Sequence, residues 1–134
     1  VYQGRYKSFP VQSDEHLLTV NRYVERNALR SNLVMRAEDW RWGSLWRWVN
    51  RRKAMDDVPA LCDWPTACGG RPRNWRQRVN QPETQDELEA MRRCVNRGQP
   101  YGGETWAKRI TKLMDLASTF RQRGRPRKTL KGLQ

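Results

Sequence analysis

The sequence contains few of the residues that build disulfides, zinc sites or membrane spans. Its three cysteines, Cys62, Cys68 and Cys94, are odd in number and include no Cys-x-x-Cys pair, which argues against a disulfide framework or a zinc site. His16 is the single histidine, so a histidine-rich metal site cannot come from this chain alone. No apolar run approaches the roughly 18 residues that a membrane helix needs, and no signal peptide is recognisable. We therefore expect a cytoplasmic protein with no membrane partner.

Positive charge, in contrast, is abundant. The 134 residues include 27 Lys and Arg against 14 Asp and Glu, for a formal net charge of +13. Residues 61–134 hold most of this excess, with 16 basic and 7 acidic side chains. Most of the basic residues are arginines, which bind phosphate and guanine through paired hydrogen bonds. The charge favours nucleic acid as the partner, and the alternative is a solvated basic face on a protein with another role.

Hydrophobic periodicity indicates an extended segment followed by a helix in the first part of the chain. Large apolar residues alternate with polar ones over residues 1–11, which predicts a strand or an extended segment. Residues 13–27 have an apolar stripe at helical spacing, and Ser13 or Asp14 can cap the predicted helix. Asn32 tolerates the left-handed conformation and is therefore predicted to end this helical region.

Four tryptophans fall within nine residues, at positions 40, 42, 46 and 48. Trp42 and Trp46 would share one face of a helix. Packing in a small core is the favoured interpretation. The alternative is a set of platforms for unstacked bases, because Arg41 and Arg47 alternate with the rings.

The second half of the chain is predicted to contain a linker and a pair of helices. Prolines and glycines interrupt residues 56–81, which predicts a linker. Apolar stripes at helical spacing predict two amphipathic helices within residues 82–120. Thr84 and Glu87 form a capping box at the start of the first helix. Such a helical hairpin is either a helix-turn-helix DNA reader or a purely structural pair.

Residues 121–134 form a basic tail with six basic and no acidic side chains, and we expect the tail to be disordered when free. Its Arg-Gly-Arg-Pro sequence at 123–126 matches the core of the AT-hook, in which arginines enter the narrow minor groove of A/T-rich DNA. Nonspecific phosphate binding is the alternative. The candidate DNA-binding residues of the tail are Arg123, Arg125, Arg127 and Lys128.

Tyr23 and Asn27 are four residues apart, which on a helix places both side chains on one face. From the residues alone, packing beside the apolar stripe is the commoner role for such a tyrosine. A free phenol has a pKa of about 10 and is a poor nucleophile unless a base or a cation lies close to it. A catalytic tyrosine is therefore the less frequent alternative.

Four stretches resemble one protein family. They are YQGRYKSFPVQSDEHLLTVNRYVERNALRSNLV from residue 2, WRWGS at 40–44, RRCVNRGQPYGGETW at 92–106 and RGRPRK at 123–128. Together they resemble the REP-associated tyrosine transposases, a branch of the single-tyrosine HUH transposases. In this family the tyrosine of a Tyr-Val/Ile-x-x-Asn-Pro-x-Arg-Ala-Gly-Leu-Val motif is the nucleophile. The resemblance implies that Tyr23 is the nucleophile and that Asn27 lies beside the metal.

The resemblance also implies a reaction. A tyrosine attacks a phosphodiester of single-stranded DNA, forms a 5′-phosphotyrosine and frees a 3′-hydroxyl, with Mg²⁺ or Mn²⁺ as the metal. The substrates would be repetitive extragenic palindromes that fold into hairpins, which implies association with the nucleoid. Candidate phosphate contacts, chosen by their proximity to Tyr23 in the sequence, are Arg5, Lys7, Arg22, Arg26 and Arg30.

The chain departs from the family pattern at three places. The metal-binding His-hydrophobic-His pair of the family has no counterpart here, so we expect a C-terminal portion of such an enzyme that is inactive alone. Ala28 and Asn32 stand where the motif has Pro and Gly. The implied fold class is α+β, with the last strand and the tyrosine helix of a truncated HUH-type domain in residues 1–55, then a mostly helical region and the disordered tail. The alternative function is a non-enzymatic DNA-binding protein or a decayed transposase remnant.

Overall fold

The protein is described by a computed structural model that covers residues 7–50, 61–65, 69–121 and 124. Over these ranges the chain is mostly helical. The α-helices are α1 (Glu15–Glu25), α2 (Asn27–Arg30), α3 (Ser44–Val49), α4 (Trp75–Asn80), α5 (Gln85–Arg97) and α6 (Glu104–Leu113). Short 3-10 helices cover Ala37–Asp39 and Ala117–Phe120. None of the helices in these ranges is long and apolar enough to cross a bilayer.

The predicted α+β fold class is wrong for the part of the chain that the structure describes, since no β-strand occurs there. Val11 and Tyr101 form only an isolated parallel bridge. In it, the Gln12 N–H donates to the Tyr101 carbonyl and the Tyr101 N–H donates to the Pro10 carbonyl, both at 2.9 Å. A strand needs partner strands for its backbone groups, and this segment meets the α5–α6 turn instead. Residues 1–6, the rest of the predicted strand, lie outside the described residues.

Helices α1 and α2 form an almost continuous rod whose ends agree with the sequence prediction. Asp14 caps α1, because its Oδ1 accepts the His16 N–H at 2.9 Å. Arg26 separates the two helices but keeps helical backbone angles. Asn32 has a positive φ of 56°, as the prediction of a left-handed end requires. The Leu33 N–H then donates to the Ala28 carbonyl at 3.0 Å, which closes the last turn.

The main core lies between α1, the first 3-10 helix, α3 and α4. Its buried residues are Leu18, Ala37, Leu45, Trp75 and Val79. Two of them belong to α4, which lies inside the predicted linker 56–81. The sequence pattern does not indicate α4, because a helix of six residues is too short to show periodicity and glycines and prolines precede it.

Helix α5 begins with the capping box that the sequence predicts. The Glu87 N–H donates to Thr84 Oγ1 at 3.2 Å, and the Thr84 N–H donates to Glu87 Oε2 at 2.8 Å. Gly98, with φ of 71°, ends α5 in the left-handed conformation. Helix α5 buries Met91 and Cys94, whereas α6 has no fully buried side chain. The use of this pair as a DNA reader stays a prediction.

Candidate functional site

Tyr23, Asn27 and Arg30 lie together on one face of the α1–α2 rod. The guanidinium carbon of Arg30 lies 4.1 Å from the centroid of the Tyr23 ring, within the range of a cation–π contact. Arg30 Nη2 also donates to Asn27 Oδ1 at 2.9 Å. Tyr23 is half-buried and Asn27 is exposed. Because these positions are spaced by four and three residues, near-continuous helical geometry aligns them.

Glu83, in the segment between α4 and α5, fixes the orientation of this cluster. Its buried carboxylate lies 2.9 Å from Arg26 Nε and 3.1 Å from Arg30 Nη1. The Arg26 Nε–H is not aligned for a hydrogen bond, so the contact of Arg26 Nε with Glu83 is an ion pair without directed bonding. Since two guanidinium groups face one carboxylate, the cluster retains positive charge.

Arg26 also caps the end of α4. Its Nη1 donates to the carbonyls of Val79 and Asn80, at 3.1 and 2.7 Å. A cation is stabilising at a helix C-terminus, where the last carbonyls have no partner within the helix. Arg26 is thus shared between an ion pair and a helix cap, which ties α1 to α4.

The other candidate phosphate contacts also have protein partners where the structure describes them. Arg22 Nη2 donates to the Pro82 carbonyl at 3.0 Å and to Glu87 Oε2 at 3.3 Å. Lys7 is exposed, and its Nζ donates to Asn96 Oδ1 at 3.2 Å. A DNA phosphate would have to share these cations with their present partners. Outside the described residues lie Arg5, Arg123, Arg125, Arg127 and Lys128.

The described residues do not by themselves fit a Mg²⁺ or Mn²⁺ site. Within the described ranges, no three His, Cys, Asp or Glu residues are grouped so that they could hold a metal ion. Asn27, which the resemblance places beside the metal as a ligand, has Arg30 Nη2 2.9 Å from its Oδ1, and that positive charge opposes a second cation. His16 is occupied elsewhere, with its Nδ1 2.7 Å from Asp14 Oδ1. Mg²⁺ or Mn²⁺ stays a prediction that requires ligands from outside the described residues.

A cavity of about 290 Å³ opens beside Asn27, and the sequence analysis did not predict it. Trp40, Trp42 and Ser31 contribute to its walls. The buried carboxylate of Glu25 also lines it but is already engaged, since it accepts from Ser44 Oγ at 2.5 Å and from the Trp75 indole N–H at 2.6 Å. In the sequence, the WRWGS stretch at 40–44 is the feature that corresponds to this cavity, because four of its five residues line it.

The structure assigns different environments to the tryptophans. Arg71 lies between the rings of Trp48 and Trp64, at 4.7 and 4.6 Å from their centroids. Trp64 in turn contacts Trp75 edge to face at 4.8 Å. All three rings pack in or against the core, but of the four tryptophans at 40–48 that the packing interpretation concerns, this contact includes Trp48 alone. Trp42 instead precedes α3 and is 78% exposed, so it does not share a face of that helix with Trp46.

A second phenol and a thiol are also of the types that can act as nucleophiles, but both are in their neutral forms. Burial raises the pKa of the Tyr101 phenol, although a hydrogen bond with Thr19 acts in the opposite direction. Burial likewise raises the pKa of the Cys94 thiol. Both groups are therefore protonated near neutral pH, which makes them poor nucleophiles.

The site thus combines a half-buried phenol, an exposed amide, two guanidinium groups on one carboxylate, and a neighbouring cavity with an exposed indole. A phenol can form a covalent bond to phosphorus, and guanidinium groups can bind the oxygens of a phosphate. Comparison of the chain with family models, with curated proteins and with solved structures found no match.

Proposed function

We propose that this chain contributes the tyrosine nucleophile of a REP-associated tyrosine transposase, which cuts and joins single-stranded DNA hairpins. The observation that carries this proposal is the cluster of Tyr23, Asn27 and Arg30 on the α1–α2 rod. It supports the proposal because the two residues to which the sequence resemblance gives roles share one guanidinium group. The chain's net charge of +13 supports DNA as the substrate.

In the proposed reaction, the Tyr23 oxygen gives up its proton and attacks a DNA phosphorus. The bond between that phosphorus and the 3′-oxygen breaks, its electron pair stays on the 3′-oxygen, and this oxygen takes up a proton. The products are a 5′-phosphotyrosine and a free 3′-hydroxyl. Because the covalent bond conserves the energy of the phosphodiester, a 3′-hydroxyl can later reverse the step without ATP.

Arg26 and Arg30 have the charge that such a step requires. A pentacoordinate phosphorus concentrates negative charge on its oxygens, and donors already fixed in place stabilise this charge. Glu83 neutralises only one of the two guanidinium groups. Part of the remaining positive charge is the Arg30 guanidinium, which lies 4.1 Å from the centroid of the Tyr23 ring.

The proposal also includes a metal ion and DNA contacts that the cluster around Tyr23 does not provide. The Mg²⁺ or Mn²⁺ that the resemblance implies would take its ligands from outside the described residues, and no step above depends on where they lie. Arg22, Lys7 and the basic tail, residues 121–134, would bind the phosphates on either side of the cut. Association with the nucleoid would follow from this DNA binding.

The proposal is tested by trapping the covalent intermediate. Protein from the complete reading frame is incubated with Mg²⁺ or Mn²⁺ and a labelled single-stranded REP hairpin with its flanks, and then run on a denaturing gel. We expect a protein–DNA band that resists denaturant. The band should disappear in Tyr23→Phe and persist in Tyr101→Phe, the matched control at a second half-buried tyrosine.

Two results would contradict the proposal. One is an adduct that survives Tyr23→Phe, which would assign the chemistry to another residue. The other is equal hairpin binding by the wild type and Tyr23→Phe with no adduct from either. A non-enzymatic DNA-binding protein would then be the remaining function.

A further inference from the structure

Trp42 lies at the surface, whereas the tryptophans near the core are buried or half-buried. Its side chain is 78% exposed, whereas Trp75 is fully buried. The Arg41 guanidinium lies 5.7 Å from the centroid of the Trp42 ring. An indole held at the surface beside a cation presents a flat apolar face without contributing to the core. Such a face is typical of a binding surface.

The cavity beside this ring has apolar walls and a small number of polar groups. Val24, Ala28 and Leu33 line it together with the rings of Trp40 and Trp42. Its volume, about 290 Å³, is close to the lower end of the range for small-molecule pockets, roughly 300 Å³. A single planar ring system is therefore a more suitable occupant than an extended chain.

Two polar side chains of the cavity are available to a ligand. Asn27 uses its oxygen to accept from Arg30, which leaves its amide N–H groups without a partner among the described residues. The Ser31 hydroxyl, also in the lining, makes no side-chain hydrogen bond within the same ranges. The Glu25 carboxylate, in contrast, is already bound by Ser44 and Trp75. The cavity thus offers hydrogen-bond donors and an acceptor hydroxyl, as the edge of a base requires.

The charge around the cavity distinguishes between classes of ligand. Arg41 lies next to the Trp42 ring, and the exposed Arg36 precedes the same segment. The acidic Glu38 nearby is bound by the Asn80 amide at 2.7 Å. An aromatic face with an arginine beside it is an arrangement that binds unpaired bases, because the ring stacks on the base and the cation binds an adjoining phosphate.

We propose that this cavity binds one unpaired nucleobase of single-stranded DNA, stacked on Trp42 with its edge toward Asn27 and Ser31. The inference rests on the proposed function, because it names where the flank of that substrate binds. Asn27 belongs both to this cavity and to the Tyr23 cluster. The base would therefore lie beside the phosphate that Tyr23 attacks and would help to set the position of the cut.

The test measures binding of the full chain carrying Tyr23→Phe, without metal, to a fluorescent single-stranded oligonucleotide and to its duplex. We expect Trp42→Ala to weaken single-strand binding about 10-fold, the range expected from losing one base–aromatic stack. Trp42→Phe should retain most of the affinity. Met35→Ala is the matched control, because Met35 is 89% exposed but does not line the cavity. Duplex affinity should be the same for all variants.

A crosslinking experiment locates the contact. Single-stranded DNA with 5-iododeoxyuridine in the hairpin flank is irradiated with the same protein, and mass spectrometry identifies the modified peptide. We expect crosslinks at Trp40 or Trp42, which Trp42→Ala should reduce.

Several outcomes would overturn the inference. They are unchanged single-strand affinity in Trp42→Ala, an equal loss on duplex DNA, crosslinks confined to other segments, or a change of oligomeric state in light scattering that identifies the patch as a protein interface. Because every protein in the binding test lacks the Tyr23 hydroxyl and the metal, these results do not depend on nicking. Absence of the covalent adduct from the wild type would contradict the proposed function alone, whereas single-strand affinity that does not depend on Trp42 would contradict the base-binding cavity alone.

Discussion

Arg26 and Glu83 form an ion pair that is almost fully shielded from solvent. Arg26 Nε lies 2.9 Å from Glu83 Oε2, and the two side chains are only 13% and 4% exposed. The pair joins the end of α1 to the segment between α4 and α5. Arg30 adds a second cation to the same carboxylate at 3.1 Å. The Glu83 carboxylate therefore holds the end of α1 against the segment between α4 and α5. It also holds Arg30, whose guanidinium contacts the Tyr23 ring.

Replacing Glu83 by Gln should destabilise the protein strongly. The change retains the size of the side chain but leaves two guanidinium groups without their counter-charge. Removing one partner of a buried pair costs about 3 kcal/mol in the free energy of unfolding. Urea unfolding followed by circular dichroism measures the difference. Glu89→Gln on the exposed face of α5 is the control, with a change within about 0.5 kcal/mol, and equal effects would refute the structural role of Glu83.

The Trp75 indole is expected to stabilise the fold through its N–H as well as its bulk. Trp75→Phe retains an aromatic ring but removes the donor that lies 2.6 Å from Glu25 Oε2. The buried Glu25 carboxylate then loses a partner, which costs about 2 kcal/mol. Trp42→Phe at the exposed position should change the free energy of unfolding by less than about 0.5 kcal/mol. Denaturant titration of both variants tests this contrast, and a similar cost at both positions would contradict it.

Thr84 is expected to contribute through its hydroxyl, which accepts the Glu87 N–H. Thr84→Ala removes the acceptor and should lower the free energy of unfolding by about 1 kcal/mol, whereas Thr84→Ser should be nearly neutral. Thermal unfolding gives the measurement, with a decrease in Tm of about 4 °C for the alanine variant. If the serine variant loses as much as the alanine variant, the hydroxyl does not cap α5.

The cap of α1 makes stability depend on pH. Partial burial acts to raise the pKa of Asp14, but hydrogen bonds from the His16 backbone and ring outweigh it, so the pKa lies below its ordinary value of 3.8. A carboxyl whose pKa is lower in the folded state stabilises the fold above its unfolded pKa and loses this contribution as the pH falls through the folded pKa.

The free energy of unfolding of the wild type should therefore exceed that of Asp14→Asn at neutral pH. The difference should persist at pH 5 and shrink as the pH falls below the ordinary pKa of Asp14. Urea titrations of both proteins across this range measure it. A difference that is the same at pH 7 and pH 3 would show that the charge of Asp14 is not involved.

Features that depend on a few neighbouring residues could be predicted from the sequence. Asp14 caps α1, Thr84 and Glu87 cap α5, and Asn32 ends α2 in the left-handed conformation. Each of these interactions joins backbone and side-chain groups within about one helical turn, so the residue types alone specify them. The alignment of Tyr23 with its neighbours on the rod has the same local origin.

Features that depend on distant residues could not be predicted in this way. Helix α4 has only six residues, and its stability comes from burying Trp75 and Val79 against Leu18 and Leu45, because isolated short helices are unstable in water. The predicted strand does not form in the described residues, since the segment after Pro10 pairs with one turn instead of a sheet.

The sequence by itself determined the positive charge, the caps of α1 and α5, and the placement of Tyr23, Asn27 and Arg30 on one face, because composition and helical spacing need no tertiary context. Only the tertiary structure decided that Glu83 binds Arg26 and Arg30 and that Trp42 stands outside the core. These contacts join residues more than 50 positions apart or depend on which faces the core covers. Packing of the whole chain sets such distances, and no local pattern encodes them.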